Sequence, residues 1–141
     1  GTFSVLAQDG GSNSEIVSLS DEVIAYEDTI RKYAKEYDIE DYVSLLQTIM
    51  MQESGEKGND PMQASKSGDN TKYPRVPNGI TDPEYSIEVG THTFSDCLKK
   101  AKVKDSSETE RIYLALQAYN CDSGYIEWAI RNFGGYSKYN A

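Results

Sequence analysis

Glu53 is the residue whose type and position first suggest chemistry. It is in phase with Tyr42, Leu46, Ile49 and Met50, so on a helix it projects from the apolar face at the last turn. A carboxyl placed there either finds a partner or has its pKa raised, because water is excluded around it. The partial negative charge of a helix C-terminus pushes the same way. A carboxyl that stays protonated near neutral pH can donate to a leaving oxygen, which is what glycoside cleavage asks of an acid. The competing reading is a frayed helix end with Glu53 turned to solvent. The glycine-containing stretch that follows gives a substrate a route to this end of the helix and favours the acid. Ser54 is adjacent, but a serine nucleophile needs a base, and His92 is the sole histidine.

The elements that must position Glu53 read as helices. Residues 21–38 carry Val23, Tyr26, Ile30, Tyr33, Ala34 and Tyr37 on one face, with Ser20 as N-cap and Leu19 and Ile24 spaced as a hydrophobic staple. A second helix is predicted over 41–54, ended by Gly55 or Gly58. Residues 55–81 are rich in Gly, Pro, Asn, Asp and Ser, so loops and turns are predicted there, with room for a small hairpin inside 60–80. A third helix is predicted over 83–102, started by a Thr81/Glu84 capping box and Pro83, with Gly90 marking a close crossing. A fourth over 108–119 has a Ser107/Glu110 capping box, and a short fifth over 124–133 is stopped by Gly134 and Gly135. The fold class is mainly α, with 1–18 as a flexible leader and 19–141 as one domain.

Composition narrows the partners. The 141 residues suit one core, and 38% apolar with 26% charged residues describes a globular chain. The net charge of −9 argues against nucleic acid, which needs a basic face, and against anionic lipid. Eleven Tyr suit sugar stacking, although Tyr also fills half-buried core edges; Tyr73, Tyr85 and Tyr125 are the candidate platforms. Cys97 and Cys121 fit no zinc spacing and His92 stands alone, so no metal or other cofactor is expected. The two cysteines can form one disulfide or remain buried thiols, and their place in or just after apolar stripes favours thiols. Residues 1–18 lack the basic start and apolar run of a signal peptide, and the chain reads as a piece of a longer protein.

The order of short motifs carries a family resemblance. Glu53-Ser54, then Gly58 and Asp60-Pro61-Met62-Gln63-Ala64-Ser65, resembles the "ES…G-x-MQ" signature of the goose-type lysozyme and soluble lytic transglycosylase superfamily. Ser86-Ile87-Glu88-Val89-Gly90 with Phe94 is similar to its "N-I-x-x-G" helix, and Ala118-Tyr119-Asn120 to its "A-Y-N-x-G" segment. The nearest likeness is to the lysozyme-like domain of CwlT-like bifunctional cell-wall hydrolases of Gram-positive bacteria and their conjugative elements. Two departures stand out: "G-L-M-Q" reads Asp60-Pro61-Met62-Gln63, and Cys121-Asp122-Ser123 separate Asn120 from Gly124.

The resemblance implies a lysozyme-like α fold and a monomer acting on peptidoglycan glycan strands at the cell wall. It implies Glu53 as catalytic acid, Asp60 as a second catalytic carboxylate, and Gln63, Ser65, Tyr119 and Asn120 as substrate-binding residues. An NlpC-type endopeptidase domain would follow in the full-length protein. Asp60 also fits a plain Asp-Pro turn, and Asn120 a helix C-cap. Three functions remain open: an N-acetylmuramidase cutting the β-1,4 MurNAc–GlcNAc bond, a lytic transglycosylase leaving 1,6-anhydro ends, and a catalytically silent glycan-binding module.

Overall fold

The computed structural model of the protein describes residues 19–53 and 58–121. They form five α-helices: α1 Asp21–Ala25, α2 Glu27–Glu36, α3 Val43–Glu53, α4 Pro83–Lys100 and α5 Thr109–Cys121, with a 3-10 turn at Glu40–Tyr42 leading into α3. No strand occurs among the described residues, so the hairpin expected inside 60–80 is not formed. No helix among them is long and apolar enough to cross a membrane. The expected fifth helix over 124–133, the leader and the Cys121 side chain lie outside the described residues. Two compact units share the chain, one of residues 19–95 and one of residues 96–121 among those described.

The first unit is built as its apolar periodicity requires, with two corrections. Ser20 caps α1, its hydroxyl accepting from the Val23 N–H at 3.3 Å. The predicted single helix over 21–38 is broken at Tyr26 (φ −91°, ψ 5°), which divides it into α1 and α2. Ile24 is 52% exposed, so the staple with Leu19 buries little. Ile30, Ala34, Leu46, Ile49, Met50, Met62, Ile87 and Phe94 are fully buried, and Tyr42 meets Phe94 edge-on at 6.4 Å. Asp82, rather than Thr81, caps α4: its Oδ1 accepts from the Glu84 N–H, and Pro83 takes the first helical position. Glu84 is thereby released to reach α2, where its Oε2 accepts from the Tyr33 hydroxyl at 2.6 Å and the Lys32 ammonium at 3.0 Å. Burial, and then the bond to Glu84, pushes the Tyr33 hydroxyl up to about 12.

In the second unit Cys97, Leu98 and Ala101 near the end of α4 are buried, as are Ile112, Leu114, Ala115, Leu116 and Ala118 on α5. Arg111 donates from Nη1 to the Ala101 carbonyl at 2.9 Å. The capping box expected from Ser107 is replaced by Glu108, whose carbonyl accepts from the Ile112 N–H and whose carboxylate accepts from the Lys104 and Asp105 N–H groups.

Both α2 and α4 end without the usual glycine. Asp38 (φ 60°) and Lys102 (φ 60°) occupy the left-handed position. The following N–H groups reach back, Ile39 to Ala34 at 2.7 Å and Val103 to Leu98 at 3.0 Å, in the Schellman pattern. Gly79 is the opposite case: a Cβ built there would lie 2.1 Å from the Pro74 carbonyl oxygen. Replacing Lys102 by Gly should therefore stabilise the chain by about 1 kcal/mol, by relieving left-handed strain. Replacing Gly79 by Ala should destabilise it by about 1–3 kcal/mol. Urea denaturation midpoints of the two variants, moving in opposite directions, check both.

Candidate active site

Glu53 closes α3 one turn beyond the fully buried Ile49 and Met50. Its side chain is half-buried, which rules out the freely solvated helix end. Burial raises its pKa above the ordinary value of 4.5, and the negative charge of Asp60 raises it further. The adjacent Ser54 lies outside the described residues.

Asp60 is 3% exposed and engages four donors. Oδ1 accepts from the Ala64 N–H at 2.9 Å and the Ser86 hydroxyl at 2.7 Å. Oδ2 accepts from the Ser65 N–H at 3.2 Å and the Ser65 hydroxyl at 2.5 Å. Each hydroxyl in turn accepts a backbone donor: Ser86 from Met62 at 3.0 Å, and Ser65 from Ile80 at 2.9 Å. The result is a closed, buried network that folds residues 60–65 around one carboxylate and fastens them to α4 and to residue 80. Four donors match the roughly four lone-pair sites of a carboxylate. Asp60 is therefore much more than one half of an Asp-Pro turn.

The rest of the loop is organised by a second buried polar side chain, Asn70, which is 1% exposed. Its Nδ2 donates to the carbonyls of Ser65 at 2.7 Å and Tyr73 at 3.0 Å, and its Oδ1 accepts from the Tyr73 N–H at 3.0 Å. Arg75 adds bonds to the Asn70 and Gly68 carbonyls, both at 2.9 Å. Residues 58–82 hold their shape this way without regular structure.

The structure gathers Asp60, Gln63 and Ser65 on one loop whose central charge acts on Glu53. Gln63 is exposed, adopts φ 48°, and donates from Nε2 to the Asp60 carbonyl at 3.0 Å. Tyr119 and Asn120 sit on α5, in the second unit, Tyr119 half-buried and Asn120 exposed. Asn120 is within the helix, which runs on to Cys121, so it is not a C-cap. Tyr85 is buried and not a sugar platform: its hydroxyl accepts from the Thr71 N–H at 3.0 Å and its ring meets Tyr73 at 5.4 Å. Tyr125 lies outside the described residues. His92 stacks on Tyr37 at 4.6 Å, with Nδ1 3.6 Å from Asp69. Ser86 is the site residue that sequence reasoning missed as a participant. Its one local signal is a hydroxyl where the superfamily motif has Asn, on the buried stretch Tyr85-Ser86-Ile87.

A helical frame carrying a half-buried carboxyl beside a loop knotted around a second one defines a class. The chain belongs to the lysozyme-like family, whose model matches residues 20–141. It is 37% identical over 129 residues to the bifunctional muramidase/DL-endopeptidase CwlT of Bacillus subtilis, covering 92% of this chain and 36% of CwlT. It is 31% identical over 113 residues to YocA, an uncharacterised membrane protein of the same bacterium, covering 80% of this chain and 46% of YocA. Among solved structures it resembles a lipoprotein-like NLP/P60-family protein of Staphylococcus aureus at 36% identity and a TM-score of 0.66, over 82% of this chain and 36% of that one. The chain thus spans less than half the length of each relative.

Two outcomes follow from the geometry. Ser86→Ala removes a donor from a buried carboxylate and the acceptor that the Met62 N–H uses, and should cost about 1.5–3 kcal/mol in chemical denaturation. For Glu53, the folded chain binds its proton more tightly than the unfolded chain. Stability therefore falls as pH rises from the ordinary value of 4.5 through the raised one, and the penalty is complete above it. Glu53→Gln should accordingly melt higher than the wild type at about pH 7 and match it near about pH 4, as followed by circular dichroism.

Proposed function

We propose that the protein cleaves peptidoglycan glycan strands at the β-1,4 bond between N-acetylmuramic acid and N-acetylglucosamine, as an N-acetylmuramidase with Glu53 as general acid. The observation that carries this reading is the Glu53 carboxyl, half-buried and raised by burial and by the Asp60 charge. It holds its proton to higher pH than an ordinary glutamate and can deliver it to the glycosidic oxygen as the bond breaks. The muramidase activity in the name of CwlT supports the same substrate class. Gln63 belongs to the glycan cleft in this reading, and the buried Ser65 supports it by holding Asp60. The partial coverage of CwlT and of the NLP/P60-family structure supports a full-length protein with an NlpC-type endopeptidase module, working at the cell wall.

After the proton is delivered, the oxocarbenium-like sugar must be captured. In hydrolysis, Asp60 orients or deprotonates a water, which adds to the anomeric carbon. In the transglycosylase route the C6 hydroxyl of the same muramic acid attacks the anomeric carbon, gives its proton to the Glu53 carboxylate left by the first step, and closes a 1,6-anhydro ring. With four donors already on the Asp60 carboxylate, accepting the water's proton requires one of them to leave.

Glu53→Gln should lower the rate of turbidity clearing of purified peptidoglycan by about 10²–10⁴-fold while wall binding persists. Undiminished clearing by this variant would refute the assignment of the acid, and no clearing by the wild type would leave a silent binding module. The product mass separates the two routes: reducing muramic acid ends for hydrolysis, ends lighter by one water for transglycosylation.

A further inference from the structure

Residues 76–79 form a turn whose chemistry exceeds its structural need. The Gly79 N–H donates to the Val76 carbonyl at 2.9 Å, with Pro77 second and Asn78 third at φ 58°. Proline followed by a left-handed residue is the type II arrangement, and glycine is the default at its third position. Asn78 stands there instead, exposed, and its side chain is used: Oδ1 accepts from Gln63 Nε2 at 3.2 Å. Gln63 is itself left-handed at φ 48° and gives its other Nε2 hydrogen to the Asp60 carbonyl. The Ser65 hydroxyl, accepting from Ile80 N–H, fastens the same turn to the same loop from below.

This arrangement leaves a defined set of groups open. Both hydrogens of Gln63 Nε2 are committed, so Gln63 presents its Oε1 acceptor. The Oδ1 of Asn78 is committed once, so Asn78 presents its Nδ2 donors. Among the described residues neither of these two atoms has a hydrogen-bond partner. One donor beside one acceptor, held on a fixed backbone, is the complement of an acetamido group, which offers a carbonyl and an N–H.

We infer that Asn78 is a specificity-determining residue that, paired with Gln63, recognises the N-acetyl group of the glycan: Nδ2 of Asn78 donates to the acetamido carbonyl, and Oε1 of Gln63 accepts from its N–H. This rests on the glycan reading above and adds the residue that tells an N-acetylated sugar from a bare one. Carbohydrates lacking the acetamido group leave both polar groups unmatched against ligand, and a site built on such bonds discriminates by their loss.

The turn supplies clean variants. Asn78→Gly suits the left-handed position and deletes the amide. Asn78→Asp keeps an oxygen for Gln63 and removes the donor. In a Glu53→Gln background, which prevents turnover, binding is measured by calorimetry for two neutral β-1,4 probes of equal length, a chito-oligosaccharide and a cello-oligosaccharide. The parent should prefer the chito-oligosaccharide, and both variants should lose about three- to tenfold of that affinity with cello-oligosaccharide binding unchanged, the fold-change of one net neutral hydrogen bond. Variants that keep the parent's ratio overturn the inference, as does a parent that fails to prefer the chito-oligosaccharide or binds neither probe. Wall clearing by the wild type is scored separately, so recognition can fail while the catalytic reading stands, and the reverse.

Discussion

The Asp60 carboxylate is the interaction on which the site depends. A buried charge is tolerated only when its lone pairs are met, and here four donors meet them: two N–H groups and a hydroxyl of its own loop, and a hydroxyl from α4. Satisfying that charge forces residues 60–65 to curl around it and forces α4 to sit where Ser86 can reach. Burial raises the pKa of Glu53, and the same charge acts on it in the same direction. One buried charge thus both shapes the loop and bears on the Glu53 carboxyl.

The loop from 58 to 82 shows how a small α protein orders a long connection without secondary structure. Backbone groups that a helix would satisfy internally are met by side chains: Asp60 and Ser65 at its start, Asn70 and Arg75 in its middle. Asp60, Ser65 and Asn70 are short and buried, with fewer rotamers to lose on folding than the long side chains of surface ion pairs such as Arg31 with Glu27.

What could be read in advance follows from range. Ser20, Pro83, the apolar stripe of α3 and the phase of Glu53 are local signals, and each appears in the structure in its expected role or place. Family likeness brought Asp60, Gln63 and Ser65 into view together, for a reason now visible: the donors Asp60 needs lie four and five residues ahead of it. The misses are tertiary or involve departures from common rules. The break at Tyr26 has no Gly or Pro to announce it. Asp38 and Lys102 end helices at positions where glycine is the usual sign. Asp82 takes the place of Thr81 as cap, and Glu84 bonds Tyr33 and Lys32 across the unit. Ser86 is an ordinary helical serine until the loop 24 residues earlier is folded against it.

The turn at Asn78 and Gly79 also bears on how the protein ages. In an Asn-Gly step the glycine nitrogen can attack the asparagine side-chain carbonyl, closing a succinimide that opens to aspartate or isoaspartate. Here the Gly79 nitrogen gives its hydrogen to Val76, and the Asn78 amide oxygen is held by Gln63. The Gly79 N–H is engaged elsewhere, the Asn78 side chain is held in one orientation, and the Pro74 carbonyl crowds the glycine from one side. The folded turn is thereby a shelter against spontaneous deamidation, and chemical longevity becomes a property of this backbone conformation rather than of the residue pair.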